Sequence, residues 1–254
     1  MDGIPWAALL AVGTAAGVVS AVVSLASVVS YPALLAIGLP PLAANMTNTV
    51  ALLFTGVGAA AGSRPELAGQ ASRIRRLGTI AALGGGAGAA LLLITPPQTF
   101  VRVAPVLIGA ASLALLAPSR QDRSPGPGAG PGHDKRSPWL LVGVSGVAVY
   151  VGYFGAAGGI VMLALLIAMV AEPLARVNAV KNMLGAIANA VAAVAFAVFG
   201  HVDWAAVVPL AGGFLVGGWT GPALVRRIPG RVLRVGVAVC GLAVAVKLGI
   251  SAYR

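Results

Sequence analysis

Eight stretches of apolar residues divide the chain: 4–37, 41–62, 77–95, 100–117, 138–170, 174–199, 204–224 and 231–251. Six of them run roughly 18–26 residues, the length a helix needs to cross about 30 Å of hydrocarbon. The other two, 4–37 and 138–170, have about 33 residues each, more than one span of roughly 20 and fewer than two full spans of about 40. Each reads as a helical hairpin whose tip stops within the membrane or barely crosses it. The second carries "GYFGAAGG" (Gly152 to Gly159) close to its midpoint, where a tight turn requires glycine. The first carries a polar run of Ser20, Ser24, Ser27 and Ser30.

The polar breaks between these stretches set the orientation. Arg64, Arg73, Arg75 and Arg76 follow the second stretch, Arg120, Arg123, Lys135 and Arg136 follow the fourth, and Arg226, Arg227, Arg231 and Arg234 precede the last. Connections rich in Lys and Arg stay in the cytoplasm. From these anchors 77–95 runs outward and 100–117 returns, while "GHVD" (Gly200 to Asp203) is external. The hairpin 138–170 then has both ends in the cytoplasm and 4–37 has both ends outside, so the two halves are inverted. Matches between the halves point the same way. Shifted by 132 positions, Pro97 falls on Pro229, Arg102 on Arg234 and Gly109 on Gly241; shifted by 134, Asn48 falls on Asn182; and Trp6 and Trp139 lie 133 apart. The fold predicted is an all-α polytopic membrane protein of two inverted-topology repeats, each a re-entrant or broken hairpin plus three transmembrane helices. Residues 1–117 form the first repeat and 138–254 the second. Between them 118–137 is a cytoplasmic Pro/Gly-rich linker. Both termini are expected outside the cytoplasm.

Composition agrees. Of 254 residues 59% are hydrophobic and 9% charged, where a soluble domain carries roughly a quarter charged residues. The net charge of +11 would suit a nucleic-acid binder, but the arginines sit beside helix ends. There they read as topology signals and contacts to anionic lipid, with no basic face or aromatic platform outside the membrane. The start, "MDGIPW", lacks the basic n-region of a cleavable signal peptide. The single cysteine, Cys240, lies in an apolar stretch and cannot pair within the chain. No spacing suggests a metal or other cofactor. His133 stands in the linker without a second ligand nearby.

Chemistry, where the chain has any, gathers behind the hairpins. "PPLAANMTNTV" brings Asn45, Thr47 and Asn48; "EPLARVNAVKNML" brings Asn178, Lys181 and Asn182. Counted from Pro173 at 1.5 Å per residue, Lys181 lies about 12 Å along its helix, against a half-thickness of about 15 Å. A lysine at that depth costs at least ~2.5–3.5 kcal/mol, so a cavity holding an anion would suit it. The alternative is that it snorkels back to the cytoplasmic headgroups beside Arg176. The asparagines donate and accept hydrogen bonds, and interhelical bonding is their ordinary role in membranes. Gly155, Gly158 and Gly159 would let backbone N–H groups approach an anion, or pack tightly against a neighbouring helix. Ser24 and Ser27 offer hydroxyls from the first hairpin. His201 and Asp203 stand in the external turn, where proton coupling competes with capping and turn formation. Glu172 is expected to pair with Arg176, and Trp6, Trp139 and Trp204 read as interfacial anchors. No nucleophile–base pair or phosphate loop appears, so an enzyme reading has no residues to rest on.

"GYFGAAGGIVMLALL", "NAVKN", "FGHVDW" and "GGFLVGGWTGPALVRRIPGRVLR" closely resemble the second half of the TauE/SafE sulfite exporter family, and "YPALLAIGLPPLAANMTN" resembles its first repeat. The likeness spans nearly the whole chain except the linker. It implies a multi-pass protein of the cytoplasmic membrane that exports sulfite, sulfoacetate or a related organosulfonate. It also implies that Gly155, Gly158 and Gly159 form a substrate-facing turn and that Asn48, Lys181 and Asn182 line the site. The chain departs from the family at "VSLAS" (Val23 to Ser27) before Pro32, where the first repeat usually has a glycine cluster; serine hydroxyls there would replace backbone contacts.

The function expected is export of a small sulfur oxyanion or organosulfonate by alternating access, with Lys181 supplying the charge. The expected partners are that anion, membrane lipid and, as an option, further copies of the chain. Two alternatives stand beside it: a permease for another small anion such as thiosulfate or a carboxylate, and a structural membrane subunit without a working site.

Overall fold

The computed structural model describes residues 6–23, 26–116, 138–154, 158–170 and 172–225, with part of the stretch 235–250. The linker with His133, and also Ser24, Gly155 and Cys240, lie outside the described residues.

Among the described residues each apolar stretch is helical. The first hairpin is α1 (Trp6–Val23) and α2 (Ala26–Ala36), followed by α3 (Pro41–Gly62), a single turn α4 (Arg64–Leu67), α5 (Ala71–Ile94) and α6 (Pro97–Leu116). The second half repeats the order with α7 (Pro138–Tyr153), α8 (Gly158–Met169), α9 (Leu174–Phe199) and α10 (Trp204–Val225). Further helical residues occur between 235 and 250. No strand occurs among the described residues. Four helices are long and apolar enough to cross a membrane, covering Pro41–Gly62, Ala71–Ile94, Arg176–Phe199 and Trp204–Gly221. The protein is an all-α polytopic membrane protein.

Helix ends follow local chemistry. Pro41 opens α3 and Pro173 stands at the N-cap of α9, positions where proline's missing N–H is no loss. Asp203 caps α10, its Oδ1 accepting from the Ala206 N–H at 3.0 Å. One boundary differs from the sequence reading. α5 starts at Ala71 rather than 77, so Arg73, Arg75 and Arg76 are helical; arginine is a good helix former, and polarity alone does not end a helix.

The most extensive helix pairings run across the two halves. α1 packs on α10 and α7 on α5; α3 contacts α10 and α9 contacts α5; and α3 crosses α9. Exchanging the halves maps this set of pairs onto itself. Small residues make the closest approaches possible. A Cβ on Gly152 would lie 2.1 Å from the Gly85 carbonyl oxygen, and one on Gly213 would lie 2.3 Å from that of Leu10. The α3–α9 crossing is antiparallel: Gly200 packs on the Met46 sulfur near one end, and Gly56 meets Ala186 further along. The Arg176 guanidinium reaches the Ala68 carbonyl at the other end, at 2.7 Å.

Candidate functional site

The two broken hairpins and the α3–α9 crossing line a partly open cavity of about 70 Å³. A single water needs roughly 10–15 Å³ by this measure, so several waters or one small anion fit. Ser20 and Ala21 close the end of α1, and Ala26 and Ser27 the start of α2. Val151 and Gly159 do the same from α7 and α8. Leu52, Thr55, Gly56 and Ala59 line it from α3, with Lys181, Asn182, Gly185, Ala186 and Asn189 from α9. Positions 182, 185, 186 and 189 step along α9 by three, one and three, which keeps them on one helical face.

Four polar atoms on this wall are buried without a hydrogen-bond partner: Thr55 Oγ1, Lys181 Nζ, Asn182 Nδ2 and Asn189 Oδ1. Buried polar groups in native proteins are nearly always paired, and leaving a charge in an apolar surround unpaired costs far more than leaving an amide. Lys181 is only 2% exposed. A snorkelling side chain keeps its charged head in water, and this one does not. Among the described lining residues Lys181 carries the only charge.

The cavity sits toward one end of the bundle. It uses the second half of α3, which runs on to Arg64, and the middle of α9. Glu172 pairs with Arg176 at 3.2 Å, as the sequence suggested, and with Arg73 at 3.3 Å. Arg73 also donates to Gln70. This network ties the start of α9 to the start of α5 outside the cavity. The opposite end is packed with rings. Tyr31 meets Phe154 edge-on at 6.3 Å, and Phe100 lies 5.9 Å from Phe154 and 6.2 Å from Tyr153.

The remaining expected site residues divide between supporting and peripheral positions. Ser27 lines the cavity and is held from behind by Asn48, whose Nδ2 donates to Ser27 Oγ at 3.0 Å. Asn48 Oδ1 accepts from Ser30 Oγ at 2.6 Å. Asn48 therefore clamps α2 to α3 and reaches the cavity only through Ser27. Its counterpart Asn182 lines the cavity directly. Asn45 donates to the Tyr153 carbonyl at 3.2 Å, fixing α3 to the end of α7. Thr47 Oγ1 accepts from the Asp203 N–H at 3.0 Å, far from Lys181 along the bundle. Asn178 is half-buried and is not among the lining residues. His201 is exposed. Gly158 and Gly159 belong to the first turn of α8 instead of a loop; a Cβ on Gly158 would strike the Val151 side chain at 2.3 Å, so its role is packing, while Gly159 faces the cavity.

Thr55 and Asn189 are site residues that sequence reasoning passed over. A signal for them existed: they lie 134 positions apart, the offset that relates Asn48 to Asn182, and each stands seven residues, about two turns, beyond that pair.

The chain matches the family described as "Sulfite exporter TauE/SafE" over residues 9–248. No curated protein and no solved structure matches it significantly.

Proposed function

Because the chain belongs to the sulfite exporter TauE/SafE family, we propose that it moves a small sulfur oxyanion out of the cell through the cavity between its hairpins. The observation that carries this reading is the buried, unpartnered Lys181 Nζ, accompanied by Thr55, Asn182 and Asn189 on the same wall. A cation in an apolar surround is a large cost, and an anion entering the cavity offsets it. A purely structural subunit would have no use for that arrangement, since a packed apolar core would be more stable.

Alternating access is supported by the placement of the cavity. It lies nearer the arginine-bearing end, which the charge pattern puts in the cytoplasm, while the aromatic cluster packs the other. The α1–α3–α10 and α5–α7–α9 groups, each built from both repeats, would rock about the α3–α9 crossing, opening the ring-packed end and closing the arginine end. The α1–α10 and α7–α5 pairs would move as blocks, because their backbones are in direct contact. Export has a ready driving force. With the cell interior negative, each negative charge leaving gains about 2.3 kcal/mol per 100 mV, so uniport suffices.

The test is efflux of sulfite from proteoliposomes. Wild type should show flux that rises with an inside-negative potential, and Lys181→Ala should reduce it by about 10²-fold or more, the loss of roughly 2.7 kcal/mol of anion stabilisation. Equal flux from the variant would remove Lys181 and this cavity from the pathway.

A further inference from the structure

The cavity's chemistry specifies the charge and the hydrogen content of its ligand. We propose that it selects a monovalent oxyanion that still carries one hydrogen, of which hydrogensulfite is the example, over divalent oxyanions of the same size. This inference rests on the transport reading above.

The charge count is the first argument. Lys181 neutralises one negative charge, and no other charged side chain is found among the described lining residues. The rest of the described wall is uncharged, with Ala21, Leu52, Ala59, Val151 and Ala186 beside the neutral polar side chains. A second negative charge would stay uncompensated in that surround. Arg73 and Arg176 offer no rescue, being engaged with Glu172 at the helix ends.

The hydrogen count is the second. Lys181 Nζ and Asn182 Nδ2 can only donate, and the hydroxyls of Thr55, Ser20 and Ser27 can do either. Asn189 Oδ1 can only accept, and it has no donor. A fully deprotonated oxyanion has nothing but acceptors, so it would bury itself against Asn189 Oδ1 with that atom still unsatisfied. One O–H on the ligand satisfies it.

The experiment measures affinities of the full chain in nanodiscs for hydrogensulfite, methanesulfonate, sulfate and thiosulfate. It uses a mildly acidic buffer in which sulfite is held mainly as the monoanion. Hydrogensulfite should bind about tenfold or more tightly than sulfate or thiosulfate, with methanesulfonate, a monoanion lacking the O–H, between them. Asn189→Leu should abolish the preference for hydrogensulfite over methanesulfonate. Divalent anions binding as tightly as hydrogensulfite would overturn the inference, as would an Asn189→Leu chain that still prefers hydrogensulfite to methanesulfonate. If all four anions bind alike and all weaken together in Lys181→Met, the transport reading stands and this inference alone fails. If none binds, both fall.

Discussion

Two turns into α9, Lys181 places a buried ammonium group without a hydrogen-bond partner in the protein, and that placement separates a functional lysine from a structural one. Replacing a buried charge by an apolar side chain of similar shape is often neutral or stabilising by about 1–4 kcal/mol. Lys181→Met should therefore hold or raise the thermal midpoint of the purified, anion-free protein while removing transport. A lysine that held the bundle together would lower the midpoint instead. Asn48 makes the opposite case. It was legible in the sequence as half of a repeated pair, yet its side chain is spent on Ser27 and Ser30. Asn48→Ala leaves buried hydroxyls short of a partner, which costs about 1–3 kcal/mol. We expect a lower midpoint by thermal unfolding together with weaker anion binding, because Ser27 loses its support. Nothing in the sequence distinguishes Asn48 from Asn182, since both are asparagines at matching positions and only their neighbours differ.

At the scale of elements, small residues decide how closely helices pair. Gly152 was expected in a hairpin turn, and instead lies within α7 with its backbone against Gly85 of α5. Neither backbone can withdraw, so a side chain there forces the helices apart. Overpacking typically costs 1–3 kcal/mol, and Gly152→Leu should lower the unfolding midpoint accordingly. Gly146, on the same helix, has nothing within 4 Å of where its Cβ would stand, so Gly146→Leu should leave the midpoint close to wild type. Equal effects from the two would refute the packing account. Element existence was readable here because long apolar runs between arginine-rich and proline-rich breaks leave little choice but helix. The start of α5 was not, because its arginines mark a membrane boundary and a helix runs through that boundary without interruption.

For the whole molecule, orientation and pairing are separate questions. The charge pattern puts the arginines of α5 in the cytoplasm and the Gly200–Asp203 turn outside. Single cysteines at Arg75 and His201, both exposed positions, test this in a Cys240→Ala background. His201→Cys should react with a membrane-impermeant thiol reagent on intact cells, and Arg75→Cys only after permeabilisation; the reverse pattern would invert the topology. Hydropathy and charge along the chain were enough to reveal a helical membrane protein, the breaks in its two long stretches and the lysine held at depth, because each of these is local: water and lipid sort residues one segment at a time. Which helices touch was a different matter. That α1 sits on α10 and α7 on α5, and that Thr55 joins Lys181 and Asn189 in one cavity lining, depends on contacts between residues more than a hundred positions apart. Such contacts emerge only when glycine-lined backbones meet and the side chains between them compete for the same space.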